Sequence, residues 1–206
     1  MKPTVSKRTA SDPQTPPSPK AEEILQRTSE LLALGGYDSF SYADIAEQVQ
    51  VRKASIHHHF PNKVDLVRAT VARHRESSRR GMQALSERVA DPFDRLGEYC
   101  RWWAACIESS NPPICLCALL AAELPSVPAE VASEVRGHFE DLSAWLAQTI
   151  AQGEGSGRLR LAASAHAEAM TFMAAVHGAM LSARALGDAR LFWSIAEAAL
   201  DRLRPA

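Results

Sequence analysis

The sequence predicts an all-α protein with a small N-terminal three-helix unit and a larger helical body, and three observations carry that prediction. Ala-rich stretches with recurring Leu, Val and Ile follow helical spacing, and no alternating apolar–polar run stands out beyond the very short Arg158-Leu159-Arg160-Leu161. Gly and Pro cluster at a few points and so punctuate long segments. The charge is also uneven: residues 1–80 hold 13 Lys/Arg against 9 Asp/Glu and carry +4, whereas residues 81–206 hold 10 against 15 and carry −5. A basic amino-terminal part with an acidic remainder suits a nucleic-acid reader attached to a second unit. The 206 residues, 46% of them apolar, suffice for one small domain joined to a larger one.

Residues 1–20 carry Pro3, Pro13, Pro16, Pro17 and Pro19 among Ser, Thr and Lys, and read as a disordered tail. Its Lys2, Lys7, Arg8 and Lys20 are available to brush a DNA backbone. From Ala21 the stripe Ile24, Leu25, Leu31, Leu32 and Leu34 predicts a first helix that stops at Gly35-Gly36. Ser41 three residues before Asp44 is a helix-start signal, because hydroxyl and carboxylate can satisfy the free amides there. Ile45, Ala46 and Val49 give that second helix its inner face. The turn Gln50-Val51-Arg52 leads into a third helix over Lys53–Phe60, which Pro61 ends by lacking an N–H and by disfavouring helical backbone in Phe60. A fourth helix begins at or near Asn62 with Val64, Leu66, Val67 and Val71 inside and Arg68, Arg73, Arg75, Arg79 and Arg80 outside. Beyond Gly81, breaks at Asp91-Pro92, Asn111–Pro113, Pro125–Pro128, Gly153–Gly157 and Gly187 predict helices near 82–90, 93–109, 114–123, 127–152, 163–186 and 189–203. The expected organisation is thus a tail over 1–20, a head over 21–68 and a body over 69–206.

Two short helices joined by a tight turn have a physical use, since the first steadies the second and the second can enter a major groove. Arg52, Lys53, Ser55, His57 and His58 offer donors to phosphates and base edges, while Ile56 and Phe60 face inward. Asp44-Ile45-Ala46 followed by Val51-Arg52-Lys53-Ala54-Ser55-Ile56-His57-His58-His59-Phe60-Pro61-Asn62-Lys63 resembles the signature of the tetracycline-repressor (TetR) family of bacterial transcription regulators, over about residues 21–68. The resemblance implies a homodimer on palindromic operator DNA, with half-sites one or more helical turns apart at roughly 34–36 Å per turn. It also implies a repressor released by a signal. Lys63 matches a phosphate-binding lysine at a helix start. Ser41 matches the residue that caps the second helix and faces the backbone, and Tyr42 beside it joins the DNA-facing set. Ala54 stands where the family usually has Gly and His57 where it usually has Tyr.

The body resembles the family in architecture only. Ala175, Ala179 and Ala183 recur at four-residue spacing with Gly178 and Ser182 beside them, and Leu191, Phe192, Ile195, Ala199 and Leu200 line the last helix. The resemblance assigns these two helices to a dimer interface; ordinary internal core is the other reading. Trp102, Trp103, Phe139, Trp145, Met170, Met173 and His177 are available to line a pocket for a small apolar or aromatic effector, or to fill the core. Cys115, in what should be the first turn of a helix, stands where the helix dipole favours thiolate. Ile114-Cys115-Leu116-Cys117 with Ala121-Ala122-Glu123 resembles the reactive-cysteine stretch of TetR-type electrophile and oxidant sensors. A buried cysteine acting as a small hydrophobe is the alternative. Cys106 is the better partner for Cys115, because Cys117, two helical residues on, diverges by roughly 200°.

Several classes are excluded. No apolar run approaches the ~20 residues of a membrane span and the start lacks a secretory segment, so a cytoplasmic protein with free thiols is expected. His57-His58-His59 cannot converge on one metal ion, because successive helical side chains point about 100° apart. Cys100, Cys106, Cys115 and Cys117 lack paired C-x-x-C spacing, so neither a metal nor a cofactor is expected. No glycine-rich phosphate loop or nucleophile elbow points to an enzyme.

Overall fold

The computed structural model describes residues 18–110 and 114–205, so most of the expected tail and the Pro112-Pro113 break lie outside the described residues. Helix α1 (Pro19–Gly35) starts ahead of the expected Ala21. The Ser18 hydroxyl accepts from the Ala21 N–H at 3.2 Å, and Pro19 sits in the first turn, where a missing N–H costs nothing. Pro19 therefore opens the helix instead of belonging to the tail. Gly36, at φ 83°, ends it, and one turn of 3-10 helix over Tyr37–Ser39 follows, which nothing in the sequence signalled.

The remaining helices are α2 (Tyr42–Gln48), α3 (Lys53–His59), α4 (Lys63–Arg88), α5 (Pro92–Glu108), α6 (Leu116–Ala122), α7 (Ala129–Gly155), α8 (Ala165–Leu186) and α9 (Arg190–Asp201). The expected break at Gly81 is absent, and α4 is one helix of 26 residues. An interior glycine costs only about 1 kcal/mol, and packing of α4 on α1, α5 and α7 outweighs that. Among the described residues there is no strand; Arg158 to Leu161 runs as a loop into α8, its Arg160 N–H donating to the Leu203 carbonyl at 3.0 Å. No helix among them is long and apolar enough to cross a membrane.

The head is α1, α2, α3 and the start of α4, around Ile24, Leu32, Ile45, Ile56 and Leu66, all fully buried. In the body, α5, α7, α8 and α9 pack together and the long α4 lies against α7. Two arginines expected outside are engaged: Arg73 pairs with Glu22 of α1, and Arg75 crosses to Asp141 at 2.6 Å and Glu134 at 3.5 Å on α7. Two further contacts tie head to body. The Glu123 carboxylate, at the end of α6, accepts from the Tyr37 N–H at 2.8 Å. The Arg184 guanidinium, in the last turn of α8, donates to the carbonyls of Ala33 at 3.1 Å and Leu34 at 2.6 Å, where the end of α1 leaves them unpaired.

Gly36 carries the tightest of these demands, because a Cβ there would lie 1.9 Å from the Glu123 carboxylate on a left-handed backbone. Gly36→Ala should lower unfolding free energy by about 2 kcal/mol or more, through backbone strain and loss of the carboxylate contact. Gly81→Ala, with open space around its Cβ, should raise it by about 1 kcal/mol. Urea unfolding midpoints at constant slope read both; an equal effect at the two positions would refute the distinction.

Candidate DNA-reading face and effector-domain cavity

The head places its two short helices and the turn between them where the sequence spacing puts them. Ser41 and Asp44 form a reciprocal cap: the Ser41 hydroxyl accepts from Ala43 N–H at 3.2 Å, and the Ser41 N–H donates to the Asp44 carboxylate at 2.7 Å. That backbone hydrogen bond, with one from the Ser41 hydroxyl, holds the Asp44 carboxyl below its ordinary range. Gln50, at φ 55°, turns the chain, and α3 follows with Ile56 fully buried. Arg52, Lys53, His57 and His58 are exposed and Ser55 is half-buried. Lys53 and His57, one turn apart, share an outer face. His57 Nδ1 donates to the Pro61 carbonyl at 3.1 Å, which leaves Nε2 facing outward.

Two of the expected DNA contacts are also structural struts. The Tyr42 hydroxyl donates to the Phe60 carbonyl at 2.9 Å, joining the start of α2 to the end of α3, and its ring lies 4.7 Å from that of His57. Burial, then the nearby Asp65, pushes its pKa up to about 12. The Lys63 ammonium donates to the Phe40 carbonyl at 2.8 Å and sits over the Phe40 and Tyr37 rings, 4.6 and 4.8 Å from their centroids.

A partly open cavity of about 760 Å³ lies between α4, α5, α7 and α8. Of the expected lining, Trp102, Trp103 and His177 reach it. Trp145 instead borders a separate polar recess and donates to the Ser86 hydroxyl at 2.9 Å. Met173 is core, Phe139 packs edge-on against His177 with centroids 5.1 Å apart, and Met170 is exposed and does not line the cavity. The sequence reading missed His74, Met82, Tyr99, His138 and Leu142. Each fits an ordinary helical pattern, and only the packing of α4, α5 and α7 makes them converge.

Cys115 also lies on this wall, but it is the N-cap of α6 and not in its first turn. Its extended backbone removes the 200° divergence, so Cys117, not Cys106, is the thiol beside it. Cys115 Sγ is 3.8 Å from His74 Nε2 and 3.7 Å from His138 Nε2. The Cys117 thiol, then His138, His177 and His74, hold the Cys115 thiol well below its ordinary range. Burial raises the other three: Cys117 upward, Cys100 to about 12, and Cys106 upward.

Burial divides the residues assigned to a dimer interface. Ala179, Ala183 and Phe192 are inside the protomer, packed between α8 and α9, and cannot touch a partner. Ala175, Ser182 and Ile195 are half-buried and Gly178 is exposed. The outer stripe of α8 runs through Met170, Ala174, Gly178, Leu181 and Ala185. That stripe lies about one helix face away from the alanine ridge.

Residues 24–70 match the family model for bacterial regulatory proteins of the tetR family, and residues 92–199 match that for the tetracyclin repressor-like C-terminal domain. No curated protein matches the chain. Among solved structures, a TetR-family transcriptional regulator from Agrobacterium tumefaciens is 48% identical, with a TM-score of 0.88 over 90% of this chain and 97% of its own. The reduced form of Escherichia coli NemR shares the fold at 19% identity, TM-score 0.78, over 91% and 99% of the two chains. So does Bacillus subtilis FadR, in complex with stearoyl-CoA, at 16% identity, TM-score 0.69, over 89% and 99%. A helix-turn-helix head on a helical body with an internal cavity defines a DNA-binding transcription regulator. The chain belongs to the TetR family.

Proposed function

We propose that this protein is a homodimeric repressor of palindromic operator DNA that lets go when an electrophile or oxidant modifies Cys115. The observation that carries the reading is the position of that thiol: on a cavity wall, beside two imidazoles, at the N-cap of α6. The far end of the same short helix holds the Tyr37 N–H of the head through Glu123. Addition to an electron-poor alkene forms an S–C bond; the π electrons move onto the activating carbonyl, and the proton lost by sulfur is returned to the adduct. Cys115 is 1% exposed and hemmed by His74 and His138, so an adduct on Sγ crowds the start of α6 and, through that helix, bears on the Glu123–Tyr37 contact.

A second reading draws on the cavity alone. Tyr99, Trp102 and Trp103 on its wall suit an apolar or aromatic ligand bound without a covalent bond, and FadR, which shares the fold, is in complex with stearoyl-CoA. The dimer is supported by the outer stripe of α8, where Leu181 is 48% exposed and Met170 43%. An apolar stripe on a long helix is costly to leave in water and is suited to a two-fold partner.

Selection from random DNA should yield a palindrome. Lys53→Ala should change which bases are preferred at one position by about 1–3 kcal/mol, whereas Lys63→Ala should weaken all sequences and flatten the salt dependence. Identical profiles for the two variants would undo this division. Sedimentation should give twice the chain mass for the native protein and a monomer for Leu181→Glu, which sets like charges against each other across the axis; an undissociated variant moves the interface elsewhere. N-ethylmaleimide should release operator DNA from the native protein but not from Cys115→Ser. Full release of that variant would eliminate the covalent reading and leave the non-covalent one.

A further inference from the structure

We propose that His74, His138 and Cys115 form a transition-metal site suited to Zn²⁺, with His177 supplying the fourth ligand. Cys115 Sγ lies 3.8 and 3.7 Å from the Nε2 atoms of His74 and His138, and one donor atom from each residue lies within 4.8 Å of the other two. Tetrahedral zinc with bonds of ~2.3 Å to sulfur and ~2.0–2.1 Å to nitrogen separates those ligand atoms by roughly 3.3–3.6 Å. The two S···N distances are close to that geometry, and the imidazole nitrogens start no more than 4.8 Å apart.

The hydrogen bonding points the same way. One S–H can donate to a single acceptor, yet two imidazole nitrogens, from α4 and α7, lie within 3.8 Å of this sulfur. His177 Nε2 is buried and has no hydrogen-bond partner among the described residues, although His177 borders the same cavity. Orphaned buried nitrogens are uncommon in native proteins, and a cation that all four groups can ligate removes the deficit. One thiolate with imidazoles selects zinc or its neighbours over Mg²⁺ or Ca²⁺. On binding, the Cys115 proton passes to solvent, the imidazoles enter neutral, and no electron is transferred.

This site differs from both arrangements that sequence spacing excludes, since neither the His57–His59 run nor the four cysteines contribute the set. It stands apart from operator release, being read on the protein without DNA. A failed release experiment leaves it intact, and a failed metal titration leaves the electrophile reading intact.

Co²⁺ is the probe. Titrated into the reduced full-length chain, it should bind one ion per chain, with a thiolate-to-metal charge-transfer band and the intense visible bands of four-coordinate cobalt, both removed by added Zn²⁺. Cys115→Ser should lose the charge-transfer band. His138→Gln should weaken Zn²⁺ affinity by more than the ~10–100-fold that loss of a mere supporting group costs a metal site. Native protein without the charge-transfer band overturns the proposal whatever the variants do. So does Cys115→Ser that binds Co²⁺ as tightly as native protein, which would put the metal on His57–His59 or another surface group.

Discussion

Helix α4 is a single uninterrupted rod, and head and body are both hung on it. Its 26 residues span about 39 Å, beginning where the Asn62 side chain accepts from the Asp65 N–H at 2.9 Å. Along that length it presents Lys63 to the Phe40 carbonyl, Arg73 to Glu22, His74 to the cavity and Arg75 to Asp141. A fully hydrogen-bonded helix cannot shorten, so any displacement of its body half reaches the head as a tilt or a slide. The parallel link through α6 and Glu123 is short and ends on one backbone amide. The DNA-reading helix is thereby fixed from two directions by elements that begin at the cavity wall.

What the sequence made legible follows from how local each signal is. The cap at Ser41, the turn at Gln50 and the stop at Pro61 are decided within a few residues, so α2 and α3 could be read almost to their ends. Gly81 misled because a glycine signals a break only when the flanking turns gain nothing by continuing, and here both pack on neighbouring helices. Pro19 misled in the opposite sense, since proline forbids a helix interior but suits its first turn. In the body the errors are rotational. Ala179 and Ala183 mark close helix contact correctly, but the contact is with α9 of the same chain, and a one-dimensional pattern does not say which neighbour a smooth face meets. His74 and His138 lie 64 positions apart in the chain, and nothing short of the packed helices brings their rings to 5.2 Å.

Two kinds of buried polar group separate architecture from function in this body. Arg95, 6% exposed, has its guanidinium spoken for by the carbonyls of Val89, Ala90 and Ser86 and by Gln152. It closes the corner between α4 and α5 with four hydrogen bonds. Glu168 is likewise engaged by the N–H groups of Ala162 and Ala163 at the start of α8. The cavity wall is the opposite case, with a thiol between two imidazoles and one ring nitrogen that has no partner among the described residues. Folding alone gives no reason to gather such groups, because each desolvated donor or acceptor left over costs stability. Their concentration at the start of α6 is therefore a cost that packing there does not repay.

The contact of Arg184 with the end of α1 reaches beyond the single protomer. The guanidinium sits one turn from Leu181 on the helix whose outer stripe is free to meet a second copy. In a dimer joined across that stripe, each head is braced against the joining helix itself, within a few residues of the symmetry axis. The separation of the two reading helices then becomes a property of α8, as rigid as the helix and as adjustable as one side chain. Lengthening or rotating α8 would change the operator spacing that fits, with no alteration to any residue that touches a base.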